Sequence, residues 1–210
     1  MTSKEYKEVF DIYIDLESRV MSEKFLDKYW LSYTEMKDIW HPIKNKIFNS
    51  DAEDFPDLMF KKEFDLIALR GGCLFSKEDF YELQNCMKIA KDEYFVVIEN
   101  ELVRNTEDTY PHLRFKFPID ITWEELNNGN ENFADISYEL LIAPNINCFV
   151  FGDSGKWGKY VASDYGFTPL DIIGFKPELA HIFQEQFEQP PEEWEEIKEW
   201  LPLKYKEIFK

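Results

Sequence analysis

The sequence predicts an α+β domain, a mostly antiparallel sheet with flanking helices and with helical N- and C-terminal segments. Three observations predict it. Apolar runs from Cys148 to Phe151 and from Tyr160 to Ala162 flank Gly152-Asp-Ser-Gly155, whose residues supply the positive φ and local side-chain bonds that reverse a strand. Strand-like and helical stretches alternate through the middle of the chain, without sustaining the β-helix-β order of a doubly wound sheet. Helical patterning occupies both ends. The 210 residues therefore read as a single domain over 1–210, with an N-terminal helical part at 1–48 and a C-terminal helix at 190–210.

Taken in order, residues 3 to about 20 carry apolar positions at helical spacing, among them Tyr6, Val9, Phe10, Tyr13 and Val20. A second helix is expected from Ser22 to Tyr29. A third follows Thr34, taken as its cap, with His41-Pro42 bending or ending it. Asn49 to Pro56 is polar and acidic, a loop. Phe64 to Leu69 has the apolar density of a buried strand, stopped by Gly71-Gly72. Ser76 with Asp79 caps a helix whose buried face is Phe80, Leu83, Met87 and Ala90. Tyr94 to Glu99 is a strand, rich in β-branched and aromatic residues. His112 to Phe117 alternates, with Leu113, Phe115 and Phe117 on one side and Arg114 and Lys116 on the other. Thr122 caps a short helix that ends near Gly129. Ile136 to Ala143 is expected as a strand ahead of the hairpin, where Trp157 and Gly158 let one large ring lie against the returning backbone. Lys176-Pro177 opens a helix with proline in its first turn. The helix after Pro190 turns Trp194, Ile197 and Leu201 one way and ends at Pro202, with glutamates in its first turn, where the helix dipole favours anions.

Composition narrows the function. A hydrophobic fraction of 44% and an aromatic fraction of 17% support a sizeable core. The net charge of −18 repels nucleic-acid backbones and favours a basic protein partner. Cys73, Cys86 and Cys148 are widely spaced and form no Cys/His cluster, so neither metal nor cofactor is expected, and reduced thiols fit a reducing compartment. No apolar stretch approaches a membrane span and the start has no signal-peptide core, so a cytoplasmic protein is expected.

Few residues invite chemistry. Asp153, Asp164 and Asp171 surround the hairpin and its exit, and paired carboxylates serve acid–base work or bind a cation, but Asp153 falls where a turn wants Asp. His41, His112 and His181 are the three histidines, none at ligand spacing to a partner. Ser154 sits in a Gly-Asp-Ser-Gly turn that lacks the context of a nucleophilic serine, and Arg70-Gly71-Gly72 reads as a strand terminator. A binding surface is a different matter. Trp157, Tyr160 and Tyr165 are candidate aromatic anchors, and Glu192, Glu193, Glu195 and Glu196 candidate charge contacts, in a C-terminal segment that also carries Glu185, Glu188 and Glu199.

The runs Ile136 to Ala143, Phe149-Val-Phe-Gly152, Lys156-Trp-Gly-Lys-Tyr-Val-Ala-Ser-Asp164 and Leu170-Asp-Ile-Ile-Gly-Phe175 resemble the C-terminal halves of small bacterial α+β proteins of immunity type, from polymorphic-toxin and contact-dependent inhibition systems. The resemblance spans about residues 94 to 187. It implies a sheet that serves as scaffold and a toxin domain as partner, and it carries no functional residue over. The expectation is a non-enzymatic acidic binding protein that neutralises a cognate toxin. The alternatives are a small hydrolase or transferase using Asp153, Asp164 and His112, and a structural or regulatory interaction module.

Overall fold

The computed structural model describes residues 24–71, 74–100, 113–127, 147–162 and 170–209. The helix expected near the N-terminus and the strand expected at Ile136 to Ala143 lie outside these residues. Among the described residues six strands form one sheet: β1 Asp65–Arg70, β2 Tyr94–Glu99, β3 Arg114–Pro118, β4 Cys148–Gly152, β5 Trp157–Ala162 and β6 Leu170–Phe175. Their spatial order is β1-β6-β5-β4-β2-β3, and every neighbouring pair is antiparallel. The expected α+β class holds, and so does the hairpin. Phe149 pairs with Tyr160 and Phe151 with Gly158 across a turn in which Gly155 takes a φ of +66°.

Helices cover both faces. On the lower face lie α1 (residues 24–29), α3 (Lys77–Ala90), α4 (Trp123–Asn127) and the pair Pro177–Leu179 and α5 (Ala180–Gln186), the first of these a 3-10 turn. They close over Phe95, Val97, Phe115, Phe117, Val150 and Trp157. On the upper face, α2 (residues 33–47), the segment after it, α6 (Pro191–Trp200) and α7 (Leu203–Lys206) close over Val96, Phe149, Phe151, Tyr160 and Ile172. Burial on both faces explains why β4 reads as a continuous apolar run although the sheet is antiparallel, and why every residue of β5 and β6 is buried, Lys159 and Asp171 included.

Local signals set most helix ends. Ser76 Oγ accepts from Asp79 N at 3.0 Å and Thr122 Oγ1 from Glu125 N at 3.1 Å, as expected of caps. The helix after Tyr29 differs from expectation. Its cap is Ser32, which accepts from Glu35 N at 3.2 Å, and not Thr34. It also runs through His41-Pro42. α2 comprises Tyr33–Glu35, a π turn at Met36–Trp40 and His41–Ile47, and the widened turn sits just ahead of the ring that cannot donate a hydrogen bond.

The upper layer meets the sheet at two glycines. Gly158 of β5 faces Gly174 of β6 in register, and the rings of Phe48 and Phe60, with centroids 4.8 Å apart, lie over them. A Cβ on Gly158 would stand 2.6 Å from Phe48 Cζ, and one on Gly174 would strike the Phe60 ring. The ring expected over the returning backbone is therefore that of Phe48. Trp157 points to the lower face, because successive strand residues alternate.

Both sheet edges are partly closed. Trp30 bridges to Phe115 beside β3, where Leu31 N donates to the Arg114 carbonyl at 3.1 Å and Arg114 Nε returns a bond to the Leu31 carbonyl at 2.8 Å. At β1, Gln189 Nε2 donates to the Ala68 carbonyl at 2.9 Å.

Replacing Gly158 or Gly174 with Ala is expected to cost about 1–3 kcal/mol, because backbone strands cannot yield to the two rings as a flexible side chain would. Urea unfolding measures it, and a variant as stable as the parent would show that the rings do not rest on these two positions.

Candidate functional site

Three carboxylates organise the polar interior, Asp92 and Asp171 buried and Asp54 half-buried. Asp92 follows α3, whose C-terminal residue Lys91 adopts a left-handed conformation (φ 66°) that turns the chain under the hairpin. There Asp92 Oδ1 accepts from Ser154 N at 2.7 Å and Oδ2 from Trp157 Nε1 at 2.6 Å. Asp153 answers in the opposite direction, its Oδ1 accepting from Glu93 N at 3.0 Å while its own N–H donates to the Tyr94 carbonyl at 3.0 Å. The turn and the α3–β2 connection thus hold each other through four bonds. Burial pushes the Asp92 carboxyl up, and the two donors hold it back only in part.

The second carboxylate is Asp171, on the lower face. Its Oδ2 lies 2.7 Å from Lys159 Nζ, which also donates to the Leu74 carbonyl at 2.9 Å. Both side chains are 3% exposed, so the pair is fully removed from solvent. Among the described residues Asp171 Oδ1 has no hydrogen-bond partner, and burial pushes this carboxyl up against the opposing pull of Lys159. The third is Asp54, in the loop under the upper face. Tyr160 Oη donates to its Oδ1 at 2.5 Å and Asn147 Nδ2 to its Oδ2 at 2.8 Å, while Asn100 Nδ2 reaches Tyr160 Oη at 3.1 Å. Burial first, and the bond to Asp54 second, raise the Tyr160 phenol above its ordinary range.

These contacts reassign several expected site residues. Trp157 and Tyr160 are wholly buried and bonded to Asp92 and Asp54, so in this fold they are core and not surface anchors. Asp153 and Ser154 serve the turn, with Ser154 Oγ accepting from Lys156 N at 3.3 Å. Asp171 is half of an interior ion pair. Asp164, Tyr165 and His112 lie outside the described residues. His181 is exposed and His41 half-buried, on different helices. Arg70 is tied to α6, 3.7 Å from Glu196 and with its guanidinium 5.5 Å from the centre of the Trp200 ring. Among the described residues no group of three or more His, Cys, Asp or Glu is placed to hold a metal ion, and no helix is long and apolar enough to cross a membrane.

The glutamates stand otherwise. α6 buries Ile197, and Leu201 behind it, against the upper face. Glu192, Glu195, Glu196 and Glu199 are then exposed and Glu193 half-exposed. Lys198 offsets Glu195 at 2.6 Å. Trp194 is half-buried against Phe209, the ring centroids 5.5 Å apart, and so helps fix the helix to the C-terminal turn.

Asp92, Asp54 and Lys159 escape a sequence reading. Lys91-Asp-Glu has the look of a solvated turn, Asp54 lies in an acidic loop, and Lys159 alternates as an outward residue would. Compared with protein-family models, curated proteins and solved structures, the chain matches none.

Two stability measurements follow from this geometry. Lys159→Met alone should cost about 3–5 kcal/mol by stranding a buried carboxylate, whereas Lys159→Met with Asp171→Leu should recover most of that loss. A double variant as unstable as the single one would refute the interior pairing. Asp92 has an ordinary value of 3.8 and a raised native one, so the native state holds its proton more tightly. Its titration therefore contributes stability fully below 3.8 and loses it as pH rises through the native value. The deficit of Asp92→Asn relative to the parent should accordingly be largest at acid pH and shrink toward neutrality, and a deficit that grows with pH would reverse the assignment.

Proposed function

We propose that this chain is a non-enzymatic acidic binding protein of immunity type, which neutralises a basic toxin domain by presenting carboxylates to its cleft. The observation that carries the reading is the mounting of α6. Its apolar stripe is packed into the upper core, and its glutamates face solvent on a helix tied to the sheet. A helix already fixed to the sheet has no backbone ordering to undergo on binding, and carboxylate oxygens offer a nuclease cleft the acceptors that phosphates would. The overall charge of −18 adds long-range attraction for a basic partner. The contacts of the expected chemical residues support the same reading, since Asp153 Oδ1 and Ser154 Oγ accept from backbone amides and Asp171 Oδ2 is paired with Lys159.

The test begins with capture of the partner from the native host, followed by association kinetics at two salt concentrations. Exposed charges are screened over about 10 Å at 0.1 M salt, so association should slow steeply as salt is added. Reversing Glu192, Glu193, Glu195 and Glu196 to Lys should slow it by about tenfold or more with a smaller effect on dissociation. A partner whose association ignores both salt and the reversals would remove α6 from the interface.

A further inference from the structure

A groove of about 630 Å³ opens where the segment after α2 runs into β1, and the C-terminal turn closes its far side. Phe60, Phe64, Leu66 and Ile208 give it an apolar lining, and Lys61, half-buried, and Lys62, exposed, line its solvent side. The volume falls in the range of about 300–1,000 Å³ typical of small-molecule sites. The wall is fixed by hydrogen bonds. Asn49 Nδ2 donates to the carbonyls of Leu58 at 2.6 Å and Phe60 at 2.8 Å, Lys61 N donates to the Ile47 carbonyl at 3.0 Å, and Met59 N donates to Tyr205 Oη at 2.9 Å. Ile208 remains 48% exposed on the groove, an apolar side chain that the fold leaves uncovered.

Charge decides what fits. The chain carries eighteen more acidic than basic groups, yet the solvent side of the groove places two lysines side by side. Among the described residues the one carboxylate of the lining, Glu63, is drawn to Lys176, 3.6 Å away. The mouth is therefore locally cationic beside an apolar lining. An anion is steered in and a cation repelled, while an apolar chain gains by leaving water.

We propose that this groove binds a free single-chain amphiphile bearing a carboxylate, with the chain on Phe60, Phe64, Leu66 and Ile208 and the carboxylate at Lys61 and Lys62. The proposal is independent of the acidic-helix reading, because it uses neither α6 nor a protein partner.

Calorimetric titration of the full chain with decanoate, below the concentration at which it forms micelles, tests this against decanol and decylammonium. One decanoate should bind per chain, and decylammonium should not. Ile208→Glu should weaken decanoate by about tenfold or more, by placing a like charge where the chain lies. Lys61→Glu with Lys62→Glu should weaken decanoate to a similar degree and leave decanol nearly unchanged. Near-ultraviolet circular dichroism checks that each variant is folded, and if Ile208→Glu is not, the lysine pair decides. Equal affinity for decylammonium, folded variants that bind as the parent does, or no binding of decanoate would each overturn the proposal. So would co-sedimentation with phosphatidylglycerol vesicles without uptake of monomeric decanoate, which would make the groove a lipid-surface contact.

Discussion

The rings of Phe48 and Phe60 rest on bare backbone at Gly158 and Gly174, and this contact sets the distance between the upper layer and the sheet. Interiors are packed at crystal density, so one shared depth must suit every neighbour. Phe48 also meets Phe149 at 4.8 Å and Phe151 at 5.9 Å between centroids, and Phe151 in turn meets Trp40. The position of α2 thus depends on two residues that have no side chain. The same depth brings Asn49 against the carbonyls that frame the groove, and it leaves room for Tyr205 to reach Met59 N.

The lower face is organised by charge as well as by rings. Lys159 would be an error in a purely apolar strand, since a buried cation is tolerated only with partners. Here Asp171 and the Leu74 carbonyl provide them, and they fasten the segment before α3 to β5 and β6. Asp92 does the equivalent work between α3 and the hairpin. Such polar ties add little net stability compared with apolar packing, but each is satisfied in only one arrangement of its elements. A chain this acidic therefore uses some carboxylates as internal fasteners and exposes others on α6.

The sequence made visible what local chemistry decides. The hairpin of β4 and β5, the Ser76 and Thr122 caps and the alternation of Leu113, Phe115 and Phe117 all depend on neighbours within a few residues, although the returning strand begins at Trp157 and not at Tyr160. The exposed glutamates of α6 were legible for the same reason, because Ile197 and Leu201 define its buried side. Burial across the sheet was not legible. Alternation ordinarily reserves one strand face for solvent, yet every residue from Trp157 to Ala162 is buried, so Trp157 and Tyr160 proved to be core. The partners of Lys159 and Asp92 come from distant segments, and no spacing rule announces them. The π turn before Pro42 was likewise hidden, since proline ordinarily signals an end and here the preceding turn absorbs it.

The strand order also has a temporal side. Among the described residues β1 lies at a sheet edge and pairs with β6 alone, so the ribosome releases Asp65–Arg70 long before its partner Leu170–Phe175 exists. At about 5–20 residues per second, the hundred residues between them take roughly 5–20 s to synthesise. The hairpin of β4 and β5, by contrast, closes as soon as its turn emerges. The nascent chain can therefore pair β2 with β3 first and add β4, β5 and β6 in turn, so β1 joins last, and Leu66, Ile67 and Leu69 spend that interval as an unpaired apolar segment.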